Sequence, residues 1–312
     1  MNRLTLGGLT RLWWLTALAM ALLLGGDAAT GRVPAPATLL AAQPIAVSLL
    51  LLFGGGMLSG LLAGLLGIGG ALVTIPVLYL ALPALGIDAA HVPATAVATA
   101  LMAMVPITLM AAWQQQRHGA IEAGWLRRMA GPMAFGAACG ALLAAALNGP
   151  VLALLFALQS CWYGARLLLE RCGADARTDD PSIWQHFARL PPWLAVPPMA
   201  AFCACVGMGG GSIVTPFLMR QRVPFRHAVA TAGALNLCIA LAGSLAFALS
   251  SIHASGAAAC VPAALLLAGG AMASVTFGVS LAQRVPAIGL QRLIGGVNVV
   301  SAASLLFQVA LH

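Results

Sequence analysis

The chain has 312 residues, of which 61% are hydrophobic and only 7% are charged. Because an ordinary soluble domain carries about a quarter charged residues, this composition excludes a soluble fold. The formal net charge of +8 comes from scattered Arg residues, with no Lys and no dense basic run, so it indicates no nucleic-acid partner. A basic balance of this kind is typical of a membrane protein with Arg in its cytoplasmic loops.

Apolar runs of about 20 residues or more, enough to cross a bilayer, follow one another along most of the chain. They lack the alternation of a membrane barrel, so we predict an all-α polytopic membrane protein. Residues 1–44 hold a first apolar run, either a signal peptide or a retained anchor, and a linker. The later runs are 45–82, 93–113, 129–148, 150–169, 193–218, 227–250, 258–283 and 293–311.

The polar loop 170–192 separates two halves, 45–169 and 193–312, which share motifs in the same order. Gly67–Leu78 aligns without a gap with Gly207–Leu218 at an offset of 140 residues. Further on, Ala96–Ala100 aligns with Ala228–Ala232. Two matches in the same order indicate an internal duplication, which is common in transporters. We therefore predict two membrane repeats joined by a cytoplasmic loop.

The distribution of Arg predicts how the two repeats are oriented. Loops 114–128, 166–192, 219–226 and 284–292 contain Arg, whereas connections 83–92, 148–150 and 251–257 contain none. Placing every basic loop in the cytoplasm requires 193–218 to enter and leave on one side, and 45–82 to do the same. Arms of about 10 to 14 residues would reach the midplane. Each repeat is then a glycine-tipped broken or re-entrant hairpin plus three transmembrane helices, and the repeats are inverted.

The glycine motifs predict an anion site, because glycines at a mid-membrane break expose N–H groups at a helix start. Ser212, Thr74 and Thr215 add hydroxyl donors, while Pro76 and Pro216 are predicted to kink the following arms. The predicted substrate-binding residues are Gly67, Gly69, Gly70, Thr74, Gly207, Gly209, Gly210, Gly211, Ser212 and Asn236. The alternative is close helix packing by small residues, which needs no ligand.

Other polar residues within or beside apolar runs are candidates for supporting roles. Asn236 either reaches the second turn or forms a helix-to-helix hydrogen bond. Thr99 and Thr231 either support the site or bond to their own helix backbone. His227 is a candidate coupling group or a solvated boundary histidine. Because no carboxylate lies within a predicted spanning core, coupling through His227, a protonated substrate or sodium, and plain facilitated diffusion, all stay open.

The paired Gly-x-Gly-Gly segments followed by Pro, within two apolar halves, resemble the TauE/SafE sulfite exporter family over residues 45–311. The resemblance implies a transporter that moves sulfite, sulfonates or other small sulfur-containing or organic anions across the cytoplasmic membrane. The two copies differ at one glycine, since Ala71 stands where the second copy has Gly211.

No metal site and no cofactor are predicted, because the seven Cys form no CxxC pair or other metal-binding spacing. A membrane-embedded thiol enzyme using Cys203 or Cys205 with His227 is one alternative, although that segment lacks an acidic partner. A membrane assembly factor or scaffold docking through 170–192 is another. We expect a multi-pass carrier of the inner membrane, not an enzyme, whose partners are lipid and a small anion and which works by alternating access.

Overall fold

The computed structural model describes residues 45–66, 70–88, 91–169, 191–253 and 259–282, with 296, 299 and 303. Regular structure in these segments is helical throughout. The helices are α1 (Ile45–Leu66), α2 (Ala71–Ala81), α3 (Val92–Arg117), α4 (Ala123–Ala146), α5 (Gly149–Leu169), α6 (Pro192–Cys205), α7 (Gly211–Arg220), α8 (Phe225–His253) and α9 (Val261–Ala282), with a short 3-10 turn at Pro83–Leu85. Residues 1–44, the loop 170–190 and most of the predicted span 293–311 lie outside the described residues.

Five helices of the described segments are long and apolar enough to cross a membrane, namely α1, α3, α4, α8 and α9. Their number and composition confirm the predicted polytopic, helical membrane protein. Helix α3 is the most buried of the five, because 67% of its most apolar stretch lies inside the protein. It packs against α8 and α9 and therefore lies near the centre of the bundle.

Helix α1 is longer than the 10 to 14 residues predicted for an arm of a hairpin. It has 22 residues, whereas α2 has 11, α6 has 14 and α7 has 10. The predicted arm length is thus correct for three helices and wrong for α1. At about 1.5 Å per residue, α1 reaches ~33 Å, which is enough to cross the hydrocarbon core.

The glycines inside α1 explain why it continues unbroken. A Cβ atom at Gly56, Gly60 or Gly64 would collide with the backbone of α9. These glycines recur every four residues and so share one helix face. They serve the close packing of two helices, which in membranes relies on small residues.

Helix α6 of the second half and helix α4 of the first half form the corresponding contact. A Cβ at Gly136 would collide with the backbone of Pro197, and one at Gly140 with that of Ala201. In both contacts the first helix of one half packs against a later helix of the other half. Each half therefore covers the opening helix of its counterpart.

Candidate functional site

The second glycine turn, residues 207–211, joins α6 to α7 and is buried throughout. Gly207 adopts a left-handed φ of 72°, which a residue with a side chain adopts only with strain. Its N–H donates to the carbonyl of Ala204 at 3.1 Å, and the N–H of Met208 donates to Cys203 at 2.8 Å. These bonds end α6 and turn the chain sharply into α7.

Three consecutive N–H groups follow, those of Gly209, Gly210 and Gly211. Among the described residues, none of the three donates to a backbone carbonyl. Buried backbone N–H groups in proteins are nearly always paired, so three in a row without a backbone acceptor among the described residues offer hydrogen bonds to an acceptor outside those residues. They lie at the start of α7, where the helix dipole adds partial positive charge. The turn is therefore suited to an anion.

Helices from both halves enclose this turn. The atoms nearest to a Cβ built on Gly207 are Ile75 Cδ1 at 3.1 Å and Val97 Cγ1 at 3.2 Å, from α2 and α3. On Gly210 they are Ile239 Cδ1 at 2.7 Å and Met133 Cε at 3.1 Å, from α8 and α4. The second turn thus reaches into the first half, and apolar side chains line it.

Two further polar residues belong to this region. Thr215 lies one helical turn after Gly211, is 7% exposed, and its hydroxyl has no hydrogen-bond partner among the described residues. Asn236 is fully buried on α8, three residues before Ile239 and so on the face that meets the turn. Contact of Asn236 with a substrate and a helix-to-helix hydrogen bond both stay predictions. The side chain of Ser212 lies outside the described residues.

The first turn uses its polar groups differently. Gly70 has a φ of 76° and precedes α2. Its carbonyl accepts a bond from the Ser59 hydroxyl at 3.0 Å and one from the Thr74 hydroxyl at 3.2 Å. The two hydroxyls also lie 3.0 Å apart. Thr74 is therefore part of a buried network that holds the turn against α1. Gly67 and Gly69 lie outside the described residues.

The repeated threonines bond across the two halves. The hydroxyl oxygen of Thr99 accepts the N–H of Cys260 at 2.9 Å. That of Thr231 accepts the N–H of Glu122 at 3.0 Å. Both threonines are fully buried. Each accepts a bond from the residue that directly precedes a helix, which is Cys260 before α9 and Glu122 before α4. The same motif residue thus makes the same bond from each half to the other.

These bonds also fix the relative direction of α3 and α8. Glu122 follows the end of α3 by only five residues, a reach of at most ~18 Å, while α3 itself is ~39 Å long. Since Glu122 bonds to Thr231 near the start of α8, the end of α3 lies near that start. The two helices pack against each other and run in opposite directions.

His227 lies beside the second of these bonds. Its Nδ1 is 3.5 Å from Oε1 of Glu122, and the two side chains are 40% and 46% exposed. The structure therefore places His227 with Thr231 and Glu122 at one end of α8, four residues before Thr231. This is a half-exposed pair and not part of the glycine turn.

The two prolines occupy equivalent places. Pro76 is the sixth residue of α2, and Pro216 is the sixth residue of α7. Each removes a backbone N–H from the middle of a short helix. The kink itself stays a prediction.

Comparison with known proteins adds the family. The sequence model described as "Sulfite exporter TauE/SafE" matches residues 52–305, which is more than half of the chain. The chain belongs to this family. Among curated proteins, a "Probable membrane transporter protein" of Haemophilus influenzae is 23% identical over 195 residues, covering 62% of this chain and 72% of the relative. No solved structure matches the chain.

Membership in the TauE/SafE family makes the protein a membrane transporter, as the glycine motifs predict. The glycine repeats and both repeated threonines fall inside the matched range. Within the described residues, no group of three or more His, Cys, Asp and Glu side chains is arranged to hold a metal ion.

Sequence reasoning missed three groups that contact the predicted residues: the Ser59 hydroxyl, the Cys260 N–H and Glu122. Ser59 lies eleven residues before Gly70 in an apolar run, and nothing in the sequence distinguishes it from a packing serine. Glu122 had a signal, because it is the one acid in the loop between α3 and α4. Cys260 contributes only backbone, which composition never reveals.

Proposed function

We propose that this TauE/SafE protein carries small oxyanions across the inner membrane, with sulfite, sulfonates and related sulfur-containing or organic anions as its substrate class. The observation that carries the proposal is the row of buried N–H groups at Gly209, Gly210 and Gly211, which have no backbone acceptor among the described residues. N–H groups at a helix start bind anions by hydrogen bonds and through the helix dipole. The family description, sulfite exporter, supports the substrate class.

The surroundings of the turn suit a carrier, which must release its substrate as well as bind it. The side chains nearest to Gly207 and Gly210 are Ile75, Val97, Ile239 and Met133, all apolar. The anion would be held by uncharged donors and not by a buried countercharge. Binding of this kind is strong enough for entry and weak enough for exit.

Inverted repeats are the second part of the proposal. Three observations support it. Helices α3 and α8 are antiparallel, and Thr99 and Thr231 make equivalent bonds from one half to the other. The packing of α1 against α9 is matched by that of α6 against α4. Repeats of opposite topology meeting near the midplane are a common plan for secondary transporters. The loop 114–128 and the turn 219–226, both rich in Arg, lie at the same end of α3 and α8, which supports a cytoplasmic position for both.

Alternating access follows from this plan. The Thr99 bond lies near the start of α3, and the Thr231 bond lies near its end. The two bonds thus hold the halves together at opposite ends of the pair formed by α3 and α8. In our proposal the carrier releases one bond at a time, so the turn between them opens to one side and then to the other.

The thiol-enzyme alternative gains no support from the site. Cys203 is 1% exposed and Cys205 is 3% exposed, so both thiols are packed in the core. A nucleophilic thiol has to meet its substrate and a base. The packing of both side chains therefore favours a structural role.

Flux into liposomes tests the proposed function. The full-length chain is purified, reconstituted, and assayed for uptake of radiolabelled sulfite down a gradient, with protein-free liposomes as control. We expect saturable uptake that sulfonates inhibit. Uptake no faster than in protein-free liposomes for sulfite, sulfonates, thiosulfate and carboxylates would overturn the proposal. A reporter fused after Arg222 that scores as periplasmic would overturn the topology alone.

A further inference from the structure

The Thr215 hydroxyl differs from those of two other buried helical threonines. Thr74 donates to the carbonyl four residues earlier, at Gly70, at 3.2 Å. Thr108 donates in the same way to Met104 at 2.8 Å. A hydroxyl on a membrane helix usually forms this bond to its own backbone. Thr215 is buried as well, yet its Oγ1 makes no such bond and has no other partner among the described residues.

An unpaired buried hydroxyl is costly, which makes its retention informative. A Val at this position would fill the same volume and bury no polar atom. The surroundings do not explain the hydroxyl, because Ile213, Val214 and Phe217 beside it on α7 are all buried and apolar. No described residue pairs with this hydroxyl, which leaves it able to donate to a ligand.

The helix geometry directs Thr215 toward the glycine turn. Side chains on a helix lean toward its N-terminus and cover the residue one turn earlier. For Thr215 that residue is Gly211, whose N–H is the last of the three unpaired groups. A ligand held by those N–H groups thus comes within reach of the hydroxyl.

The duplicated first half has no equivalent of this group. In the gapless alignment of the motifs, Thr215 corresponds to Ile75, and Thr74 corresponds to Val214. The hydroxyl of the first half is shifted by one residue, which on a helix turns it by about 100°. There it bonds to Ser59 and Gly70. The two turns therefore differ in what they offer to a ligand.

We propose that Thr215 is a substrate-contacting, specificity-determining residue that donates a hydrogen bond to one oxygen of the bound oxyanion, while the N–H groups of Gly209, Gly210 and Gly211 hold another oxygen. The inference rests on the anion-carrier function proposed above. It makes the hydroxyl contribution asymmetric, because the first half has Ile75 at the aligned position.

Two variants of the full-length chain test the role of Thr215, with sulfite as the probe. Thr215→Val keeps the shape and removes the donor, so we expect the KM for sulfite uptake to rise about 10- to 100-fold, the range expected for a hydrogen bond to a charged group. Thr215→Ser keeps a hydroxyl and should restore KM to within about threefold of the starting protein. Thr108→Val is the matched control, since it removes a buried helical hydroxyl that is already paired, and it should leave KM unchanged.

Thermal unfolding without ligand separates this role from a structural one. Because the hydroxyl is unpaired, Thr215→Val should unfold at the same or a higher temperature than the starting protein. It should also lose most of the stabilisation by sulfite. An unchanged KM with unchanged stabilisation by sulfite overturns the role of Thr215 but leaves the carrier function standing. A lower unfolding temperature with an unchanged KM likewise assigns Thr215 to packing. If the starting protein neither moves nor binds any of the anions, both proposals fall together.

Discussion

At the first glycine turn Gly70 is left-handed, and at the second turn Gly207 is, while Gly67, which aligns with Gly207, lies outside the described residues. The Gly70 carbonyl accepts hydrogen bonds from two hydroxyls, those of Ser59 and Thr74. Gly210, its aligned counterpart, has an ordinary helical φ of −66°. If the same offset of 140 residues is carried back to Ser59, the residue there is Met199. At the first turn two hydroxyls bind the Gly70 carbonyl, whereas no such bond is made at the second turn among the described residues. The N–H groups of Gly70 and Ala71, like those of Gly210 and Gly211, donate to no backbone carbonyl of the described residues.

The comparison shows that duplicated sequence does not imply duplicated chemistry. A shift of one hydroxyl along a short helix and the exchange of one serine for methionine change the hydrogen bonds that the two turns make. We expect the first turn to contribute mainly to stability and the second mainly to transport.

The largest effect is expected at Gly70. In Gly70→Ala the new Cβ would collide with Ser59, including its backbone carbonyl, and the φ of 76° adds strain. These two terms together cost about 2 to 5 kcal/mol. The variant should give little folded protein, measured by detergent-solubilised yield and thermal unfolding. Gly54→Ala, in a helix with open space around it, is the matched control and should behave like the starting protein. Normal yield and stability of Gly70→Ala would contradict the structural role of this turn.

At Gly210 the expected loss is in transport. The atoms nearest to a new Cβ are the ends of two flexible side chains, those of Ile239 and Met133, so the protein can yield locally. Gly210→Leu should therefore insert into membranes and purify, yet show flux at the level of protein-free liposomes because its side chain covers the open donors. Gly210→Ala should retain partial flux. Full flux in Gly210→Leu with normal expression would remove the second turn as the binding site.

The crossed threonine bonds should give equal, moderate effects. Thr99→Val and Thr231→Val each remove the acceptor of one part-buried N–H, at a cost of about 1 to 2 kcal/mol. Thermal unfolding of the two variants should fall by similar amounts. If only one variant loses stability, the two bonds are not equivalent and the support they give to inverted repeats is lost.

The smallest effect is expected at Ser59. Ser59→Ala removes one hydroxyl from the network at the first turn, and polar bonds between membrane helices are worth about 1 kcal/mol. Ser48→Ala is the matched control in the same helix, because the Ser48 hydroxyl is fully buried and has no partner among the described residues. Ser59→Ala should unfold at a lower temperature than Ser48→Ala, with the sulfite KM unchanged in both. A raised KM in Ser59→Ala would show that the first turn also binds substrate.

The difference between the turns also marks the limit of what the sequence predicts. Periodicity and composition suffice for helices such as α3 and α8, because long apolar runs have one stable form in a bilayer. The role of the glycines inside α1 depends instead on the α9 backbone, which is 211 residues away in sequence, as between Gly56 and Leu267. The partner of Thr74 likewise depends on how α1 lies beside α2. Motif residues can be found from the sequence, whereas the bonds they make depend on tertiary packing.

The crossed hydrogen bonds have a consequence for biosynthesis. When the first half has left the ribosome, the Glu122 N–H does not yet have its acceptor Thr231, and the glycine face of α1 is not yet packed against α9. Neither partner exists until more than a hundred further residues have been made. The early half must therefore persist in the membrane as an incomplete bundle, and its assembly ends only when the last helices are inserted. A chain cut between the halves should assemble only when both pieces are made together.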